Sequence, residues 1–168
     1  GIAVVIIPIV CLYLLQCLLV PKYASDIKEG AMIKEYYNSE KNHDVLILGD
    51  CEVYENISTV TMWENYGISS YIRGSAEQLI WQSYYLLEDT LKYEKPQVVI
   101  LNVLAMTESD AKNEAYNRMT LDGMKLSKYK IASIKESMTE EENMASYIFP
   151  LLRYHSRWSE LSSEDFRY

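Results

Sequence analysis

The chain has 168 residues, a length that accommodates one domain and a short terminal appendage. Hydrophobic residues make up 49% of it, enough to build a buried core, which argues against general disorder. The formal net charge of −8 argues against a nucleic-acid partner, because neutralising phosphates requires clustered lysine and arginine side chains.

Tyrosine and cysteine each bear on possible ligands. The 15 tyrosines could line a carbohydrate-binding surface, but tyrosine also fills the interfaces between strands and helices. The three cysteines, Cys11, Cys17 and Cys51, have neither metal-ligand spacing nor the pattern of a disulfide framework. We therefore expect no metal and no cofactor.

The first segment of the chain is apolar. Residues 2–20 carry no charge, and as a helix they would span about 28 Å, roughly one hydrocarbon core of a bilayer. Pro8 is tolerated in a membrane helix. A buried core helix is the alternative, but it would normally show a polar face. We predict a transmembrane helix over residues 1–20 that stays uncleaved, because no small-residue cleavage site follows it.

A polar segment, residues 21–43, follows and is typical of a stalk or a juxtamembrane helix. The pattern changes at Asp44, where we place the start of an α/β domain that covers residues 44–168. Residues 45–48 form a short unbroken apolar run that ends at Gly49, as expected of a strand buried on both faces.

Helices and strands then alternate. The predicted elements are a helix over 58–66, a strand over 68–72, a helix over 75–93 and a strand over 98–101. Ser58 is a suitable N-cap for the first helix, and Gly67 lies just past its end. Ser75 and Gln78 have the spacing of a capping box at the start of the second. The alternation predicts a parallel α/β sheet.

The carboxyl ends of these strands are where chemistry is expected. Right-handed crossovers bring Gly49, Arg73–Gly74 and Asn102 to one edge of the sheet, and ligands of open α/β sheets bind at that edge. Cys51 follows the first strand directly, in a turn from which a nucleophile would project. On residue chemistry alone, a lone cysteine there is more often a small buried hydrophobe.

The two acidic neighbours of Cys51 have separate expected roles. Asp50 is expected to orient the turn by accepting hydrogen bonds from backbone N–H groups, as aspartate commonly does. The carboxylate of Glu52 would raise the pKa of the thiol and so weaken it as a nucleophile.

Residues 45–52, Val-Leu-Ile-Leu-Gly-Asp-Cys-Glu, resemble the first block of the SGNH/GDSL hydrolases, in which a hydrophobic strand leads to Gly-Asp-Ser. The spacing onward to Gly74 is similar to the second block, and Asn102 falls where the third block carries an asparagine. Residues 117–124 and 149–158 resemble segments of a bacterial, membrane-anchored SGNH-like subgroup. The resemblance covers roughly residues 44–166.

This resemblance implies a flavodoxin-like parallel sheet in a three-layer α/β/α fold of SGNH type. Cys51 would then stand where the family has its nucleophilic serine, and Gly74 and Asn102 where the family has oxyanion donors. Two features depart from the family pattern. The serine is a cysteine, and Asn102 lacks the family's Gly-x-Asn-Asp context.

The family's D-x-x-H motif, which carries its catalytic Asp and His, is absent from the sequence. His155 has Leu152 at the position of the aspartate, and His43 precedes the first strand, on the wrong side of the sheet. If the chain is part of a longer protein, the resemblance implies that the missing pair follows Tyr168. If the chain is complete, no hydrolysis of the serine type is expected.

Three functions remain open on the sequence. The first is an esterase or O-acyltransferase acting on acyl esters of an extracytoplasmic carbohydrate or cell-envelope polymer. The second is an inactive SGNH-like module that binds glycan or scaffolds a membrane-bound acyltransferase, and the third is a sensor or structural domain. The expected partners are the membrane, such a carbohydrate or acyl-ester substrate, and a membrane-bound acyltransferase. The expected location is the membrane, with a single-pass anchor and the soluble domain extracytoplasmic.

Overall fold

The computed structural model describes residues 2–21, 31–107, 113–163 and 165–166. They belong to two compact units, which are considered separately. The larger unit is Tyr23–Met144, and the smaller one combines Gly1–Lys22 with Ala145–Tyr168.

A three-stranded parallel sheet organises the larger unit. Its strands are β1 (Val45–Gly49), β2 (Ser70–Gly74) and β3 (Val98–Leu101), in the order β2-β1-β3. β1 is central, and all five of its residues are buried, because it is hydrogen-bonded along both sides. The predicted α/β class and parallel sheet are therefore confirmed.

Helices precede, separate and follow these strands. The α-helices of the larger unit are α2 (Ala31–Glu35), α3 (Cys51–Asn56), α4 (Thr59–Tyr66), α5 (Ile80–Thr90), α6 (Glu114–Leu121) and α7 (Lys128–Ser137), and a 3₁₀ turn covers Val103–Met106. α4 confirms both of its predicted ends. The Ser58 hydroxyl accepts a hydrogen bond from Thr61 N–H, and Gly67 adopts a left-handed conformation with φ +65°.

The helix after β2 differs from its prediction. It starts at Ile80 rather than at residue 75, because Glu77 has φ +54°, which a right-handed helix cannot contain. The Ser75 hydroxyl bonds Thr120 Oγ1 at 2.5 Å rather than capping a helix. Gln78 Nε2 donates to Arg73 O at 3.2 Å and to Ser83 Oγ at 2.9 Å. These side-chain bonds hold residues 75–79 as a loop against the sheet edge.

The part of the polar segment that the structure describes packs on the larger unit. Ile33 in α2 and Tyr36 just after it have no exposed surface. The Tyr71 hydroxyl of β2 donates to Met32 O at 3.0 Å. The apolar side chains within residues 31–43 bury against β2, although the overall composition of the segment is polar.

A buried cation lies between α2 and α5. Arg73 has no exposed surface, and its Nη1 donates to Leu86 O at 3.1 Å and to Thr90 Oγ1 at 2.8 Å, with Asp89 Oδ2 at 3.4 Å. The guanidinium carbon stacks 4.3 Å from the centre of the Tyr36 ring. Burial raises the pKa of Tyr37, whose hydroxyl accepts from Arg73 Nη2, to about 12. These tyrosines fill an internal interface rather than a surface.

The apolar strand β3 is exposed, whereas β1 is buried. Between 37% and 51% of each residue from Val98 to Leu101 is accessible. β3 pairs with β1 on one side, and no strand of the described residues pairs with its other side. Its apolar sequence is typical of a strand buried on both faces. In the described part of the chain, however, its side chains are partly accessible and only one of its edges is paired.

The smaller unit is helical. It contains α1 (Ile2–Leu19), α8 (Met144–Ile148, of which Met144 belongs to the larger unit), α9 (Leu151–Tyr154) and a 3₁₀ turn over His155–Glu160. Arg157 joins the two chain segments of this unit, because its Nη1 donates a hydrogen bond to Leu19 O and its Nη2 donates one to Asp165 Oδ1. A cavity of about 520 Å³ is lined by Ile9, Leu12, Tyr13, Gln16, Phe149, Leu151 and Leu152.

Over the residues described here, none of the helices combines the length and the apolar character that crossing a membrane requires. The predicted transmembrane helix over residues 1–20 is therefore not supported.

The pair His43–Glu94 leads to a pH-dependent prediction. Burial alone would raise the pKa of Glu94, but hydrogen bonds from His43 N–H, the His43 ring and the Tyr36 hydroxyl hold it below its ordinary value. A carboxylate with a lowered folded-state pKa stabilises the fold above its unfolded-state pKa, and this stabilisation disappears as the pH falls through the folded-state value. Glu94→Gln should cost about 1.5–3 kcal/mol at pH 7.

Thermal unfolding of wild type and Glu94→Gln between pH 3 and pH 8 measures this difference. The difference in unfolding midpoint between wild type and Glu94→Gln should become smaller in the acid range, below the usual pKa of glutamate. Glu141→Gln, which removes an exposed carboxylate from the same unit, is the control and should shift the midpoint little at any pH. A Glu94→Gln effect that is constant across the whole range would contradict the assigned pKa direction.

Candidate functional site

The turn after β1 is shaped by Asp50. Its backbone is extended, and its carboxylate accepts a hydrogen bond from Glu52 N–H at 3.1 Å, which makes it the N-cap of α3. The predicted orientation of this turn by Asp50 is confirmed by that bond. Cys51 is consequently the first residue of α3, at the carboxyl edge of the sheet.

Two glycines allow the ends of β1 and β2 to meet. Gly49 lies opposite Gly74 in the strand register. A Cβ atom on Gly74 would lie 2.7 Å from Val53 Cγ2 and 2.9 Å from Gly49 O, and one on Gly49 would lie 2.6 Å from Asn102 Cβ. Neither position has room for a side chain, so the backbones of all three strand ends converge beside α3.

Asn102 joins the third strand end to this turn. Its N–H donates to Leu48 O at 2.9 Å, and its side-chain Nδ2 donates to Asp50 Oδ1 at 2.8 Å. Its Oδ1 accepts from Leu104 N–H at 2.9 Å, which caps the 3₁₀ turn after β3. The structure thus brings together the five residues that the sequence assigned to the site, namely Asp50, Cys51, Glu52, Gly74 and Asn102.

The thiol of Cys51 is half-buried and lies among acidic groups. Burial, followed by the negative charges of Asp50 and Glu55 and more weakly of Glu52, raises the pKa of the Cys51 thiol above its ordinary value. Glu52 is exposed and accepts a hydrogen bond from Asn56 Nδ2 at 2.7 Å. At neutral pH the sulfur is therefore held as the thiol, the less nucleophilic form.

A buried polar network supports the loop that follows Gly74. Thr120 in α6 bonds the Ser75 hydroxyl and also donates to Gln82 Oε1 at 3.2 Å. Gln82 Nε2 donates in turn to Asn117 Oδ1 at 3.2 Å and to Ser137 Oγ at 3.1 Å. This network connects α5, α6 and α7 with Ser75, the residue that follows Gly74.

His43, the histidine of the larger unit, does not reach the site. His43 precedes β1, at the opposite end of the strand from Cys51, and its Nδ1 lies 3.0 Å from both carboxylate oxygens of Glu94. His155 belongs to the smaller unit, where its Nδ1 lies 3.0 Å from Leu152 O. In the described parts of the chain, no group of three His, Cys, Asp or Glu side chains could hold a metal ion.

Sequence reasoning missed two residues that matter here. Val53 fills the space between Gly49 and Gly74, and its position three residues after a turn Asp gave a weak signal as the inward face of a short helix. The sequence pattern predicts Arg73 at the sheet edge beside Gly74, but its side chain points into the buried interface with α5. An arginine next to a strand-ending glycine carries no sequence signal for that direction.

Comparison of the chain with protein-family models, with curated proteins and with solved structures finds no match.

Proposed function

We propose that the larger unit is the nucleophile-bearing part of an SGNH-type esterase or O-acyltransferase. The observation that carries the proposal is the convergence of Gly49, Cys51, Gly74 and Asn102 at the carboxyl edge of a parallel sheet. Such an edge is where α/β folds bind ligands. The order β2-β1-β3, with the cysteine after the central strand, is also compatible with the three-layer fold of that family.

The proposed reaction is acyl transfer through a thioester. The Cys51 thiolate attacks the acyl carbonyl carbon. The N–H groups of Cys51 and Gly74 donate hydrogen bonds to the carbonyl oxygen, on which negative charge develops. The carbon–oxygen bond of the ester then breaks, and the leaving alcohol takes the proton removed from the thiol. Water or an acceptor hydroxyl attacks the thioester and regenerates the thiol.

This sequence of steps requires a base that removes the thiol proton. His43 is bound to Glu94 at the opposite end of β1 from Cys51, so the proposed base is a group other than His43. The proposed substrate is an acyl ester of an extracytoplasmic carbohydrate or cell-envelope polymer. Association with a membrane and with a membrane-bound acyltransferase belongs to the same proposal.

A second candidate is an SGNH-like module that binds glycan or scaffolds an acyltransferase without catalysing a reaction. The raised thiol pKa of Cys51 favours it, because burial and three nearby carboxylates all oppose the thiolate. In this case the three strand ends would provide a ligand-binding edge only.

Ester turnover by Cys51 variants distinguishes the two candidates. With an acetylated sugar as substrate, Cys51→Ala should reduce kcat by at least about 10³-fold, since removing a nucleophile leaves only binding and oxyanion stabilisation. Cys51→Ser, which keeps a nucleophilic atom, should retain part of the turnover. Cys11→Ala is the matched control and should behave like wild type. Equal turnover in wild type and Cys51→Ala would exclude the catalytic proposal.

A further inference from the structure

We propose that Asn102 is a positioning residue, which holds Asp50 and through it the turn that carries Cys51, and that it is not a donor to the reacting oxygen. This inference rests on the proposed function for its role in acyl transfer. Its test, however, measures the geometry of the turn without requiring turnover.

Both the oxygen and the nitrogen of the Asn102 carboxamide form hydrogen bonds within the protein. Its oxygen accepts from Leu104 N–H at 2.9 Å, and its nitrogen donates to Asp50 Oδ1 at 2.8 Å. A planar carboxamide that is bonded at both ends has its orientation fixed.

The acceptor of the Asn102 amide is a carboxylate, which makes the bond charge-assisted. Such bonds are stronger than a bond to a neutral carbonyl. Turning the amide toward a substrate would remove one of two donors from Asp50 Oδ1, the other being Glu52 N–H at 3.1 Å. The arrangement therefore favours the bond to Asp50.

Asp50 transmits the effect of Asn102 to the nucleophile position. It is the N-cap of α3, and Cys51 is the first residue of that helix. α3 is short, so its first turn depends on this cap. Without the Asn102 side chain, the Asp50 carboxylate loses its hydrogen bond to the residue that follows β3. We then expect the thiol of Cys51 to become more accessible.

A double-mutant cycle tests this coupling. Cys51 is alkylated with iodoacetamide from pH 7 to pH 10 in a background of Cys11→Ala and Cys17→Ala, which leaves Cys51 as the one thiol of the sequence. Comparing limiting rates at high pH separates accessibility from the thiol pKa, which Asp50, Glu52 and Glu55 all influence. Asn102→Ala should raise the limiting rate about 3- to 10-fold when Asp50 is present, a change that corresponds to about 0.6–1.4 kcal/mol.

In an Asp50→Ala background, Asn102→Ala should change that rate by less than 2-fold. The same ratio in both backgrounds would overturn the proposal, because Asn102 would then act independently of Asp50. An unchanged rate on Asn102→Ala with Asp50 present would overturn it as well. Absence of ester turnover together with clear coupling would refute the proposed function while supporting the positioning role.

An exchange of the two side chains provides a second test should Asn102→Ala fail to fold. Asn102→Asp alone places two carboxylates together and should raise the limiting rate. Combined with Asp50→Asn, the amide at position 50 can donate to the carboxylate at position 102 and still accept from Glu52 N–H. The limiting rate should then return to within 2-fold of wild type. No recovery in the exchanged variant would contradict a direct bond between these positions.

Discussion

Arg73→Ala should lower the free energy of unfolding by about 3–5 kcal/mol. The guanidinium has no exposed surface, and its removal leaves Asp89, which is also buried, with Lys92 as its remaining ion-pair partner. It also removes donors to Leu86 O, Thr90 and Tyr37, together with the stacking on Tyr36. Denaturant unfolding followed by circular dichroism measures the loss.

Two further variants show whether the loss comes from the buried charge. Arg73→Met combined with Asp89→Leu removes both charges and should recover most of the stability, because an apolar pair avoids the cost of desolvation. Lys95→Met removes one positive charge from an exposed position of the same unit and should change stability by less than about 0.5 kcal/mol. A loss under 1 kcal/mol for Arg73→Ala would show that water or a rearranged side chain replaces the guanidinium.

Gly74→Ala should cost about 1–3 kcal/mol, and here the cause is space rather than backbone conformation. The new Cβ would lie 2.7 Å from Val53 Cγ2, 2.9 Å from Gly49 O and 3.4 Å from Asp50 O. Two of these three atoms are backbone, so relief requires the turn after β1 to move. Thermal unfolding should show the loss, and the displaced turn should also reduce ester turnover if the site is catalytic.

Val53 and Gly67 provide the controls for this prediction. Adding Val53→Ala to Gly74→Ala removes the contact with Cγ2 but not the contact with Gly49 O, so relief of the clash should be partial. At Gly67 there is open space and φ is +65°. There Gly67→Ala should cost about 1 kcal/mol through backbone strain, and Gly67→Asn less. If Val53→Ala restored the full stability of Gly74→Ala, the contacts with backbone oxygens would not be a cause of the destabilisation.

The elements that the sequence predicts well are those with a local physical cause. β1 has a continuous apolar run, and α4 has a capping serine and a left-handed glycine at its ends, so both were predictable. The meeting of Gly49 with Gly74 follows from strand order and handedness, which apply to any parallel sheet. The site was predictable as far as it depends on strand ends.

The features that the sequence does not predict depend on contacts between distant residues. α5 starts later than predicted because Glu77 has a positive φ, in a loop where Ser75 bonds Thr120, a residue 45 positions away. The inward direction of the Arg73 side chain depends on partners in α2 and α5. The bond from Asn102 to Asp50 spans 52 positions and changes the assigned role of the asparagine. None of these contacts leaves a periodic pattern in the sequence.

The hydroxyl of Tyr37 has a consequence for the order of folding. It donates to Asp89 and accepts from Arg73 Nη2 and Lys125 N–H, at sequence separations of 52, 36 and 88 residues. Contacts over such separations form only after long loops have closed, and loop closure is entropically unfavourable. We therefore expect the segment around Tyr37 to become ordered together with β2, α5 and the α6–α7 connection.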